Sequence, residues 1–340
     1  MSLAFIPQQP LAPHTTFQIG GPAELFAVAD SVEVLQALLG LAADTEQPVT
    51  ILGGGSNVLV ADTGVPGCVI QVAILGREYV VTGDTVQLTC GAGEVFDAVV
   101  AETVAKGYWG LENLSHIPGS VGATPIQNVG AYGVEVADCI VAVTAVQRMT
   151  HAVRVFTAAE CSFGYRDSFF KTPAGRDWVV TSVTFTLSAV AAPQLGYADL
   201  TARLGATAGL TPAHVRDTII DIRSQKFPDW HKVGTAGSFF KNPIISTTHY
   251  NTLLATYPEL PGYPTVDDTV KVPLGWVLDK ICGLRGYTHE QVGTYQGQAL
   301  VVINRGTATA AAVATFAADI AAQVKEATDI VIEWEVTRLG

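Results

Sequence analysis

The sequence predicts a mixed α/β architecture in more than one domain, and three observations carry that expectation. The 340 residues exceed one ordinary core, since about 150 residues per domain gives two or three domains. Hydrophobic residues make up 49% against 15% charged, which excludes a disordered, solvated chain and favours dense packing. Stretches of strand period alternate with stretches of helical period, with no internal repeat or low-complexity tract.

Taken along the chain, Ser31 is placed to cap a helix whose Leu35, Leu38, Leu39 and Ala42 share one face. The Gly83-Asp84 turn leads into a strand over 86–90, and Phe96, Val99, Val100 and Val104 mark a second helix that stops at Lys106-Gly107. Strands are expected over 140–149 and 178–187. Thr211-Pro212 starts a helix burying Val215, Ile219 and Ile222. Leu274, Val277, Leu278 and Ile281 line another that ends at Gly283; a strand over 299–304 follows. Val313, Phe316, Ile320 and Val324 mark the last helix, and alternation over 330–336 reads as a final strand.

Charge narrows the function classes: 19 Lys and Arg against 31 Asp and Glu leave a net charge of −12, which argues against a nucleic-acid backbone as partner. Five scattered cysteines without a CxxC pair suggest neither a zinc site nor a disulfide framework, and fit a reducing cytoplasm. The histidines lack metal-ligand spacing, so no metal is expected. No GxSxG elbow supports a hydrolase. The first residues lack a basic segment followed by a long apolar run, and no later stretch reads as a membrane span.

Two glycine-rich segments carry the chemical signal. In VTILGGGSNVLV an apolar run breaks at Gly53, Gly54, Gly55, Ser56 and Asn57 and then resumes. Backbone amides freed of side chains would cradle a phosphate there, although a tight hairpin turn explains the same residues. The second segment, PGSVGATPIQNVGAYG over 118–133, is uncharged and conformationally permissive. Gln127 and Asn128 offer amide donors and acceptors suited to a heterocycle edge; a buried Ω-loop is the alternative.

The ordered motifs LGGGSNVLV, GLENLSHIPGSVGATPIQNVGAYG, CSFGYRDSFFK, GSFFKNP, QALVVIN and IEWEV resemble those of the UDP-N-acetylenolpyruvoylglucosamine reductase family across nearly the whole chain. The resemblance implies the FAD-binding fold of the vanillyl-alcohol oxidase/p-cresol methylhydroxylase type with an additional α+β substrate-binding domain. It divides the chain into FAD-binding subdomains 1–72 and 73–227, a substrate-binding domain 228–333, and a terminal strand end 334–340. It also implies NADPH-dependent reduction of an enolpyruvyl nucleotide sugar in peptidoglycan precursor synthesis, by a cytoplasmic monomer without nucleic-acid or membrane partners.

By the same resemblance, FAD contacts fall on Gly53, Gly54, Gly55, Ser56 and Asn57, and on Pro118, Gly119, Ser120, Gly122, Ala123, Gln127, Asn128, Gly130 and Tyr132. Arg166 is the expected electrostatic stabiliser, Ser238 the proton donor and Glu335 a polariser of the substrate carboxylate. Substrate contacts are implied at Tyr165, Tyr197, Lys226, Asn242 and Gln298; Tyr197 matches the subtype with an additional insertion. The chain departs from the family pattern in having Trp334 where proline is usual and Thr337 where arginine is usual. An alcohol or sugar oxidase of the same flavin fold is the alternative, as is a flavin-binding or nucleotide-sugar-binding module without turnover. The glycine loops lack the His or Cys that often tethers flavin in such oxidases, although His116 lies just upstream.

Overall fold

The computed structural model describes residues 4–205 and 209–340. Two compact units are present. The first comprises 1–9, 23–55 and 66–223, and the second 10–22, 56–65 and 224–340.

In the first unit, Ile6–Pro10, Pro22–Ala29, Val65–Val72 and Val49–Leu52 lie side by side in that order, the last pair parallel. The helix Val32–Asp44 is capped by the Ser31 side chain and buries Leu35, Leu38, Leu39 and Ala42, the stripe its period requires. An antiparallel five-stranded sheet runs Val153–Thr157, Ile140–Gln147, Trp178–Ser188, Thr85–Gly91 and Arg77–Thr82. Its last two strands form the hairpin expected around Gly83-Asp84, with Gly83 at φ +60°. The helix Phe96–Ala105 ends at Lys106 and Gly107, the latter at φ +79°.

The helix Pro212–Lys226 buries Val215, Ile219 and Ile222, which cluster with Trp109, Tyr132 and Leu200. These contacts bury the helix's apolar face.

The second unit has an antiparallel sheet of Gly234–Ser238, Gln298–Asn304, Val292–Tyr295 and Thr288–His289. The helix Ala310–Thr328, capped by Thr309, buries Val313, Phe316, Ile320 and Val324 in the core that holds Phe239 and Phe240. Phe17 and Ile19 belong to this core, and Val58–Val60 pairs in parallel with Thr337–Leu339. Two N-terminal segments therefore belong to the C-terminal unit.

Two expectations need correction. The segment Leu274–Ile281 opens as a short α-helix and continues as a π-helix over Val277–Ile281 before Gly283 at φ +65°. Residues 330–336 keep their alternation, with Ile330, Ile332 and Val336 buried. They form no regular strand, since pairing is confined to a bridge between Trp334 and Phe240; the final strand is Thr337–Leu339.

Candidate active site

The first glycine segment is not a hairpin. Its flanking strands pair elsewhere, Val49–Leu52 with Val65–Val72 and Val58–Val60 with Thr337–Leu339. Gly53, Gly54 and Gly55 close a stretch of the first unit, while Ser56 and Asn57 open one of the second. The Gly54 N–H donates to Ser120 Oγ at 3.2 Å. A Cβ on Gly53 would stand 2.6 Å from that oxygen, and one on Gly54 2.8 Å from Gly119 Cα. Only glycine lets the two segments meet backbone to backbone. Asn57 donates its side-chain amide to the Glu335 carbonyl at 3.1 Å, so this group serves the second unit's C-terminal run.

The second segment folds back on itself. Gly119 sits at φ +112°, followed by a turn over Val121–Ala123 and the short helix Thr124–Gln127. The Val121 and Gly122 N–H groups donate to the carbonyls of Glu94 and Ala92, each at 2.8 Å. Asn128 is left-handed and fully buried. Its amide nitrogen donates to Glu135 Oε2 at 2.7 Å and to the Gly164 carbonyl at 2.9 Å, and its oxygen accepts from the Ala137 N–H at 3.2 Å. The side chain expected at a heterocycle edge is thus taken up inside the protein. Beyond it, Gly130–Ala131 pairs with Val134–Glu135, and buried Tyr132 meets the Tyr197 ring edge-on at 5.1 Å.

Arg166 is built onto this segment. Its backbone is left-handed at φ +54°, its Nη2 donates to the Gly130 carbonyl at 3.0 Å, and its guanidinium lies 5.5 Å from the Tyr165 ring centroid. Lys171 Nζ donates to the Arg166 carbonyl at 2.6 Å, fixing the residue from behind.

In the second unit, Ser238 ends the strand Gly234–Ser238 at a bulge, directly after Gly237 at φ +74°. Glu335 is half-buried, and its N–H donates to the carbonyl of Phe239, the next residue after Ser238, at 2.9 Å. Ser238 and Glu335 are therefore brought onto adjoining backbone. Trp334, in the position where proline was expected, packs edge-on against Phe239 at 4.7 Å, and Arg338 lies 5.5 Å over the Trp334 ring. Glu333 is exposed and pairs with Lys241 at 3.1 Å, which leaves Glu335 as the less solvated carboxylate.

Asn242 Oδ1 accepts the Leu274 N–H at 2.9 Å and so caps the segment Leu274–Ile281. Gln298 opens its strand against Gly275, where a Cβ would lie 2.6 Å from Gln298 Oε1. Lys226 is the last residue of the helix Pro212–Lys226.

Sequence reasoning missed two polar features of the first unit. Asp97 accepts the His116 N–H and a two-pronged contact from Arg216, at 2.6 and 3.0 Å. Burial pushes the Asp97 carboxyl up, but Arg216 and the His116 N–H outweigh it and hold the group below the usual aspartate range. Glu112, inside GLENL, is buried; Oε2 accepts the Gly110 N–H at 2.6 Å, while Oε1 has no partner among the described residues. Burial raises its pKa, opposed by the Gly110 N–H. The signal available in the sequence for Asp97 was only an acid in a helix's first turn.

These segments suit FAD. Neither 53–57 nor 118–133 contains a carboxylate to repel a diphosphate, and both are rich in glycine, whose backbone amides no side chain screens. Among the described residues no cluster of His, Cys, Asp and Glu could hold a metal ion, and no helix is long and apolar enough to cross a membrane.

Comparison with known proteins agrees with this reading. Residues 23–155 match a FAD binding domain family, and residues 228–339 match the UDP-N-acetylenolpyruvoylglucosamine reductase C-terminal domain. The chain is 41% identical to the UDP-N-acetylenolpyruvoylglucosamine reductase of Chromobacterium violaceum, covering 98% of this chain and 99% of that protein. Identity to the Pseudomonas putida enzyme of the same name is 39%, with the same coverage. The crystal structure of UDP-N-acetylenolpyruvylglucosamine reductase from Thermus caldophilus superposes with a TM-score of 0.67 at 25% identity, covering 99% of this chain and 98% of that one. The chain, an α+β flavoprotein oxidoreductase, belongs to the UDP-N-acetylenolpyruvoylglucosamine reductase family.

Proposed function

We propose that this protein reduces the enolpyruvyl ether of UDP-N-acetylglucosamine to UDP-N-acetylmuramate with NADPH as electron donor, as a cytoplasmic monomer in peptidoglycan precursor synthesis. The observation that carries the proposal is the bond from Arg166 to the Gly130 carbonyl at 3.0 Å, which mounts a cation on the segment read as holding the flavin. When bound, FAD supplies relay of a hydride from NADPH to the β-carbon of the enolpyruvyl group.

The chain's own residues handle what that hydride creates. Its arrival leaves an electron pair at the α-carbon, delocalised into the adjacent carboxylate. Arg166, with a planar cationic fork, stabilises this charge as it develops. Glu335 polarises the carboxylate. Ser238 donates the proton that closes the reaction at the α-carbon. Tyr165, Tyr197, Lys226, Asn242 and Gln298 are proposed substrate contacts. Ser56, Asn57, Pro118, Gly119, Ser120, Gly122, Ala123, Gln127, Asn128 and Tyr132 are proposed to border FAD with Gly53, Gly54, Gly55 and Gly130, Asn128 acting through its backbone.

The test is anaerobic reduction of purified protein by NADPH, followed by reoxidation with and without the enolpyruvyl substrate. Rapid reoxidation only with that substrate is expected. Rapid reoxidation by oxygen alone would favour an alcohol or sugar oxidase, and protein that takes up no FAD would overturn both readings.

A further inference from the structure

We propose that Asp97 and Arg216 are positioning residues for FAD: together they hold His116, and with it the second glycine-rich segment, in the conformation that accepts the cofactor. The proposal rests on the reading that residues 118–123 border FAD.

His116 has φ +61°, a conformation that costs a side-chain-bearing residue on the order of 1 kcal/mol or more and persists where the surroundings enforce it. The enforcement comes from both sides of the residue. Its N–H donates to Asp97 Oδ1, and its carbonyl accepts from Arg223 Nε at 3.1 Å. Arg216 grips the same carboxylate through two nitrogens, so Asp97 is aimed at His116 by a bidentate guanidinium. Arg216 and Arg223 project from one helix, about two turns apart and hence on one face.

The segment is then fixed again three and five residues downstream. The Phe96 N–H, beside Asp97, donates to the Gly119 carbonyl at 3.0 Å, and the Val121 N–H donates to the Glu94 carbonyl at 2.8 Å. Between these points lies Ser120, the residue that receives the Gly54 N–H. The clasp thus sets the backbone on which the two glycine segments meet. It is not required to dock the helix Pro212–Lys226, which Val215, Ile219 and Ile222 already anchor. Loss of the clasp should therefore be felt in cofactor affinity before it is felt in folding.

The experiment titrates FAD into deflavinated full-length protein, reading flavin fluorescence quenching, and records the melting temperature of each apoprotein. Asp97→Ala is expected to weaken FAD binding roughly ten- to hundredfold, the scale of a lost charge-assisted hydrogen bond, with little change in apoprotein melting. His116→Gly in the same background should recover most of the loss, because glycine takes a positive φ without assistance. Arg216→Met, which leaves the Asp97–His116 bond in place, should give a smaller loss in the same direction. If Asp97→Ala does not fold, Arg216→Met with and without His116→Gly decides the matter. Unchanged FAD affinity, or a loss that His116→Gly does not recover, overturns the proposal. Gly119→Ala serves as the control on the underlying reading: if it weakens FAD binding and Asp97→Ala does not, only the clasp fails. If neither does, the segment does not border FAD.

Discussion

Gly54 and Ser120 join the two glycine-rich segments directly: the Gly54 N–H donates to Ser120 Oγ at 3.2 Å, and a Cβ on Gly54 would lie 2.9 Å from Ser120 N. The sequence suggested that glycine here makes room for a phosphate. The structure adds that it makes room for the other segment.

Gly54→Val should consequently act through the second segment, since the obstructing atoms at 2.8 to 2.9 Å are backbone and cannot swing aside. The expected product folds but binds FAD at least tenfold more weakly. Titration of deflavinated protein with FAD, beside a thermal melt, checks it; full occupancy at parental affinity would mean that contact between the segments is irrelevant to the cofactor.

Arg166→Lys keeps the charge and loses the fork that reaches Gly130. The step that reduces the substrate should slow by roughly two orders of magnitude, the scale of one preorganised donor, while reduction by NADPH is largely spared. Rapid-mixing measurement of the two half-reactions separates these. Equal slowing of both would make Arg166 a structural residue.

Much of the fold was legible because the information was local. The stripes Leu35–Leu38–Leu39–Ala42 and Val313–Phe316–Ile320–Val324 repeat at helical period, and the cap Ser31 stands where side-chain capping requires. The candidate site was legible through its motifs, which locate residues but not their bonds. Nothing nearby in sequence reveals that Asn128 is internally satisfied by Glu135, Gly164 and Ala137. Still less does it reveal that Asp97 meets Arg216, 119 residues away. The misread strand over 330–336 failed for a related reason: alternation reports which side of a chain is buried, whereas a strand also needs a partner along its length, and here the bridge is limited to Trp334 and Phe240.

Glu112 supplies a pH-dependent test. Its folded pKa is raised by burial, so the sign opposes that of an ion-paired carboxylate. Below the unfolded value, about 4.3, both states are protonated and the group costs nothing. As pH rises through that value the unfolded chain releases its proton first, and stability falls until the folded pKa is passed. Glu112→Gln removes this loss, so its denaturant-derived stability should fall less than that of the parent between about pH 4 and 7. Identical pH slopes for parent and variant would show that Glu112 ionises in the fold without penalty.

Ser238 separates hydride addition from protonation. The residue ends a strand at a bulge, next to a left-handed glycine, and its neighbour Phe239 accepts the Glu335 N–H. Its position is therefore held by backbone on both sides, and replacing the hydroxyl should leave that backbone intact. Ser238→Ala is expected to slow substrate reduction on the order of a thousandfold, within the range of general acid catalysis, with FAD affinity and reduction by NADPH near parental. Ser238→Cys should retain more turnover, because a thiol of similar shape is the stronger acid. Single-turnover reoxidation in heavy water, following deuterium at the α-carbon, reads the proton transfer itself. If Ser238→Ala matches the parental rate with unchanged stereochemistry, the hydroxyl is not the acid. Glu335, on adjoining backbone and the less solvated of the two neighbouring carboxylates, then takes that role, and Glu335→Gln should show the loss that Ser238→Ala did not.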